Sequence, residues 1–171
     1  MEATKLNVIE TIESRRSIRK FKPDPIPSKT LRKILEAGRL SPSAGNRQPY
    51  KIVVITDETI RAEMSKGRYN KFIKDAPVVV VGCDRVGDDW SRRWSMVDTT
   101  IALEHIVLVA WSLGVGSCWI GDFSKPNLRE LLEIPQDYEI IAQIALGFPE
   151  VVPNGREKKS FEELVCFNKF C

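Results

Sequence analysis

Histidine is nearly missing from this chain. His105 stands alone among 171 residues, and the four cysteines, Cys83, Cys118, Cys166 and Cys171, form no CxxC pair. A zinc or iron–sulfur centre draws on clustered imidazole and thiolate ligands, so no metal site is expected. His105 follows Glu104 without HExxH spacing and reads as structural. No serine sits in a GxSxG elbow, and neither Cys83 nor Cys118 has an activating base close in sequence, which leaves nucleophilic catalysis without support. An excess of one charge is also lacking. Lys+Arg number 26 against 23 Asp+Glu, so no global field marks a nucleic-acid or membrane-surface protein, and any basic site must be local. Long apolar runs are absent too: Ile106 to Leu113 falls far short of the roughly 20 residues that a bilayer requires. The opening MEATKLNVIE carries no basic-then-apolar signal pattern. The expectation is one domain over residues 1–171, with reduced thiols in a cytoplasmic setting and a core of ordinary size.

What is present has clear periodicity. Leu6, Ile9 and Ile12 suggest a short amphipathic helix, and Ser28 suits the cap of a second one with Leu31, Ile34 and Leu35 on one face. Between them lie a basic segment and Pro23, Pro25 and Pro27, which forbid regular structure. Tyr50 to Thr56 and Ala76 to Cys83 are β-branched runs suited to strands buried on both faces, with residues 57–75 helical in pattern between them. Ser95 to Leu113 fits a long core helix, with Gly114 placed for a left-handed C-cap. Val115 to Ile120 and Glu139 to Leu146 read as two more strands, separated by a helix marked by Leu128, Leu131 and Leu132. This order predicts helices packed on a central sheet.

Three segments have residues suited to chemistry. Arg15, Arg16, Arg19, Lys20 and Lys22 crowd around Ser17. Guanidinium forks donate paired, charge-assisted hydrogen bonds to phosphate oxygens, so a phosphate clamp is one reading. A solvated basic surface is another; nucleic-acid contact is poorly served, because only Phe21 offers a stacking face nearby. The loop SPSAGNRQP presents Ser43, Asn46 and Gln48 on a backbone pinned by Pro42 and Pro49. It suits either the polar edge of a heterocycle or a plain helix-to-strand connection. The stretch from Gly114 to Gly121 has a GxG but no third glycine and no helix opening behind it, which excludes a dinucleotide fingerprint. Gly121 at a strand end is placed to offer its amide to a planar ligand. Trp90 and Trp94, flanking Arg92 and Arg93, suit an aromatic lid or simple surface packing.

Taken together, four segments resemble the nitroreductase family: ESRRSIRKF from Glu13 to Phe21, SPSAGNRQPY from Ser41 to Tyr50, LGVGSCWIGDF from Leu113 to Phe123, and IALGFP from Ile144 to Pro149. They occur in the family's order and match its shorter members. The resemblance implies an α+β sandwich with a central mixed, mainly antiparallel sheet flanked by helices, intertwined as a homodimer with two shared FMN sites. It implies that Arg15, Arg16, Ser17 and Arg19 grip the phosphate, ribityl and pyrimidine side of FMN. Pro42, Ser43, Ala44 and Asn46 of a partner subunit would border the isoalloxazine, with Gln48 nearby. Cys118, Trp119, Ile120 and Gly121 would pass the ring, and Arg156 and Lys158 would add charge at the phosphate. The implied activity is ping-pong reduction of a small acceptor, such as a nitroaromatic or quinone, by NADH or NADPH through flavin N5, with no catalytic side chain. Rival readings are a reductive dehalogenase, a flavin-fragmenting enzyme, or a non-catalytic flavin or nucleotide binder. The region Val86 to Trp94 is expected to shape the acceptor pocket.

Overall fold

The computed structural model describes residues 6–67, 69–87 and 89–170, side chains of residues 89–92 excepted. In chain order the elements are α1 (Val8–Ser14), α2 (Ser28–Arg39), a 3₁₀ turn (Ala44–Asn46), β1 (Tyr50–Ile55), α3 (Glu58–Met64), a second 3₁₀ turn (Lys71–Asp75), β2 (Val78–Arg85), α4 (Asp89–Ser112), β3 (Gly116–Ile120), α5 (Lys125–Leu131), β4 (Tyr138–Gly147) and α6 (Phe161–Leu164). The sheet has the order β1-β2-β4-β3, and every pairing between these strands is antiparallel. A parallel component enters only at the edge, where Ser17 bridges Ser117. The expected α+β sandwich is therefore present.

The sheet separates two cores because successive strand residues point to opposite faces. Val78, Val80, Ile144 and Leu146 meet Ile34 of α2 and Leu103, Ile106 and Ala110 of α4. Val79, Val81 and Ala145 face the other way, toward Ile18, Phe21, Met64, Ile73 and Leu128. Helices α2 and α4 approach closely where Gly38 lies: a Cβ there would sit 2.8 Å from Ile106 Cδ1. Truncating Ile106, which is fully buried, to alanine would cost about 2–5 kcal/mol.

Several expectations need correction. Tyr50–Ile55 is not buried on both faces: among the described residues β1 has β2 as its only strand neighbour, and within it only Ile55 is buried. Helix α4 begins at Asp89 rather than Ser95, and β2 at Val78 rather than Ala76. Cys83 and Cys118 are free thiols as expected, but Cys166 is disulfide-bonded; Cys171 lies outside the described residues. Helix α1 is secured by a reciprocal capping box between Asn7 and Glu10, yet its apolar stripe faces outward, with Val8 72% and Ile9 67% exposed. Phe161 and Phe167 of the tail pack on each other and are likewise exposed. Among the described residues, no helix is long and apolar enough to cross a membrane.

Candidate cofactor site

The basic segment runs as a strand-like stretch along the sheet edge, joined to it by two isolated bridges, Ser17 to Ser117 and Phe21 to Pro149. Ile18 N–H donates to Ser117 O at 2.8 Å, Lys22 N–H to Phe148 O at 2.9 Å, and Glu150 N–H to Lys20 O at 3.0 Å. Alternation then decides which side chains face inward. Ile18 is fully buried, whereas Arg15, Arg16 and Ser17 are half-buried and Arg19 is exposed. The strand is held because β3 approaches it closely: a Cβ on Gly116 would lie 2.6 Å from Ile18 Cγ1.

A cleft of about 780 Å³ opens here, lined by Arg15, Arg16, Ser17 and Arg19, by Glu104 of α4, and by Arg156 and Lys158 of the tail. Two basic groups that are far apart in the chain thus face one cavity. Arg16 is oriented by its own backbone, donating from Nη1 to Glu13 O at 2.9 Å and Arg15 O at 2.8 Å. Gly155 admits it: a Cβ at that position would stand 3.0 Å from Arg16 Nη2. Among the described residues, none of these five cations forms an ion pair with a protein carboxylate. Glu13 and Glu104 line the same cleft, so five cations face two carboxylates, and a bound anion offsets the excess of positive charge.

The third segment lies beside this cleft. Cys118 is buried, and its thiol is pushed up by that burial, against the opposing pull of Arg19 and Arg15. Trp119 turns to the α4 side, where its indole Nε1–H donates to Glu104 Oε2 at 2.9 Å. Ile120 is buried and pairs with Gln143 of β4. Just past the strand, no atom comes within 4 Å of where a Cβ on Gly121 would be, so its backbone stands open. The donor set and this bare strand end fit an anionic, planar group such as FMN.

The loop from Pro42 to Gln48 does not reach this cleft within one chain. It is built from unusual backbone: Gly45, Asn46 and Gln48 all have positive φ, at 59°, 55° and 50°. Gln48 N–H donates to Ser43 Oγ at 3.0 Å, and its side-chain amide turns back to Asn46 O at 2.9 Å. Sequence reasoning missed two carboxylates: Glu104, which lines the cleft, and Asp98, which accepts from Ala44 N–H at 3.0 Å. Neither contact is visible as a motif, because each joins separate elements. His105 lies apart, beside Val8, Ala37 and Leu108 in an apolar groove. Of the suggested lid, Arg93 lies over the Trp94 ring at 5.6 Å; the side chains of Trp90 and Arg92 lie outside the described residues.

Comparison with known proteins places this arrangement. The model of the nitroreductase family matches residues 12–67 and 61–148. A Methanothermobacter thermautotrophicus protein provisionally named an NADH dehydrogenase/NAD(P)H nitroreductase is 32% identical, over 91% of this chain and 84% of its own. The solved NADPH:FMN oxidoreductase of Vibrio harveyi, complexed with NAD+, is 26% identical with a TM-score of 0.91, covering 97% of this chain and 79% of its own. An FMN-dependent nitroreductase from Clostridium difficile is 29% identical with a TM-score of 0.78, covering 95% of this chain and 99% of its own. A family match running from the basic segment through β4, on a fold shared over nearly the whole chain, makes this protein a member of the nitroreductase family.

Proposed function

We propose that the cleft holds the phosphate of FMN, and that the protein uses NADH or NADPH to reduce a small acceptor such as a nitroaromatic or a quinone. The class is that of its relatives: an FMN-dependent NAD(P)H oxidoreductase. The observation that carries the assignment of the cleft is the convergence of Arg15, Arg16, Arg19, Arg156 and Lys158, none of them ion-paired among the described residues, against only Glu13 and Glu104 among the described lining residues.

Bound FMN supplies the hydride chemistry that no side chain here offers. The protein's part is position and charge. The guanidinium groups of Arg15 and Arg16 hold phosphate oxygens, with Arg156 and Lys158 closing from the tail and the Ser17 hydroxyl donating alongside. Arg19 places positive charge where negative charge develops on the ring system, which is electrostatic assistance with no proton transfer. The strand end at Gly121, with Ile120 before it, would meet the ring edge, since a Cβ on Gly121 would have open space around it.

The same reading takes residues 1–171 as one cytoplasmic domain working as a homodimer. The outward apolar stripe of α1 and the exposed phenylalanines of the tail supply surface for a second copy. In that dimer the loop from Pro42 to Gln48 borders the flavin of the partner subunit, which accounts for its distance from the cleft of its own chain.

The test is the visible absorption spectrum of purified protein, before and after anaerobic addition of NADH and then NADPH. An oxidised-flavin spectrum bleached by one of the nucleotides is expected. Colourless protein that cannot be reloaded with FMN overturns the cofactor assignment; flavin that neither nucleotide bleaches identifies a binder without this turnover.

A further inference from the structure

The strained loop between α2 and β1 has a clasp. Asp98, on the third turn of α4, is 2% exposed. Its Oδ1 accepts from the Ala44 backbone N–H at 3.0 Å, a contact between residues 54 apart in the chain. Its Oδ2 is buried with no hydrogen-bond partner among the described residues. One turn earlier on α4, Ser95 Oγ donates to Asp84 Oδ2 of β2 at 2.7 Å, which ties this part of the helix to the sheet. The carboxylate therefore sits on a fixed support.

We infer that Asp98 is a positioning residue: it holds the loop from Pro42 to Gln48 in the one backbone shape that reaches the flavin of a second copy. Three positive-φ residues in four positions, two of them not glycine, make a conformation that a free loop would leave. Hydrogen bonds inside the loop move with it and do not fix it to the rest of the protein. The Ala44 bond does, because it fastens the first residue of the 3₁₀ turn to a rigid helix. A buried carboxylate keeps such a donor because losing it would leave both of its oxygens without a partner in low dielectric. Asp98 touches no reacting atom, so its effect on the flavin runs through Ala44. The inference rests on the proposal that this loop borders a partner's FMN.

Three variants of the FMN-loaded protein test it: Asp98→Ala, Asp98→Asn and Ala44→Pro. The last removes the same N–H from the loop side, and Ser43 before it is already extended (φ −140°, ψ 153°), as a residue preceding proline prefers. Amide exchange over residues 41–49, exchange in β2, FMN dissociation constants and the split between kcat and KM are measured together. Asp98→Ala and Ala44→Pro should each speed exchange in the loop and weaken FMN by about tenfold or more, with β2 unchanged. With FMN saturating, kcat should recover. Asp98→Asn, which keeps an oxygen for Ala44, should stay within about threefold of the parent protein. Unchanged loop exchange in both disrupting variants overturns the clasp while leaving the flavin assignment intact. Faster loop exchange with undiminished FMN affinity shows that the loop is not at the flavin, and overturns the positioning role by that route. Asp98→Asn as damaging as Asp98→Ala also overturns it, since geometry would then not be what the carboxylate supplies.

Discussion

Trp119 and Glu104 join β3 to α4 through one hydrogen bond, indole Nε1–H to carboxylate Oε2 at 2.9 Å, and Glu104 is at the same time part of the basic cleft. An uncharged donor thus holds a carboxylate that lines the same cleft as Arg15 and Arg16. Trp119→Phe should cost about 1–2 kcal/mol, lowering Tm by roughly 2–8 °C for a chain of this length. It should also weaken FMN by freeing Glu104 to pair with Arg15 or Arg16. The double variant Trp119→Phe/Glu104→Gln should regain FMN affinity without regaining Tm. Calorimetry and flavin titration check both, and a double variant that still binds FMN weakly refutes the competition.

Arg15 and Arg19 flank the cleft and form no ion pair with a carboxylate among the described residues. Changing both to alanine should leave far-UV circular dichroism intact and weaken FMN by about 10–100-fold, the worth of one or two charge-assisted hydrogen bonds. The ratio of flavin to protein absorbance after gel filtration measures it. Undiminished flavin content removes these two residues from the site.

Gly116 and Gly114 should respond differently to the same change. A Cβ on Gly116 would meet Ile18 Cγ1 at 2.6 Å and Pro149 Cγ at 2.9 Å, in a fully buried spot that cannot yield. Gly116→Ala should cost about 1–3 kcal/mol and, by displacing the strand that bears Ser17 and Arg19, also weaken FMN. Gly114 has φ 78° and open space around it, so Gly114→Ala should cost about 1 kcal/mol from backbone strain alone and leave FMN affinity unchanged. Thermal melts with and without added FMN separate the two effects.

Burial raises the Cys83 thiol from 9.0 to about 11, with Asp84 adding to the rise and Arg129 opposing it. Folding then favours the protonated form. The stability that this thiol contributes is fully present below about pH 9, and is lost as pH rises toward 11, where only the unfolded chain would otherwise have ionised. Cys83→Ala should therefore show a shallower fall in Tm between pH 9 and 11 than the parent protein. Parallel curves would refute the assignment.

Much of this was legible along the chain. The runs around Val78 to Cys83 and Glu139 to Leu146 announce strands because β-branched residues favour a pleated surface, and the apolar second half of α4 announces a core helix, though not its first turns from Asp89, where charged residues hide the start. Arg15, Arg16 and Arg19 pointed to a phosphate clamp because a guanidinium carries its geometry wherever it is placed, and the structure brings them to one cleft. The edge position of β1 was not legible, since burial depends on which strands flank it, and a hydrophobic run does not name its neighbours. Nor was the outward face of α1, whose periodicity states that a stripe exists but not what covers it.

By itself, the sequence determined the kinds of elements, their order and the identity of the groups available to bind an anion, because these depend on side-chain chemistry and local spacing. Only the tertiary structure decided which groups meet. Arg156 and Lys158 join Arg15 across most of the chain, Asp98 reaches Ala44, and Glu104 is kept by Trp119 rather than by a cation. Each of these depends on strand register and helix placement, and a shift of one residue in a strand sends every side chain to the opposite face.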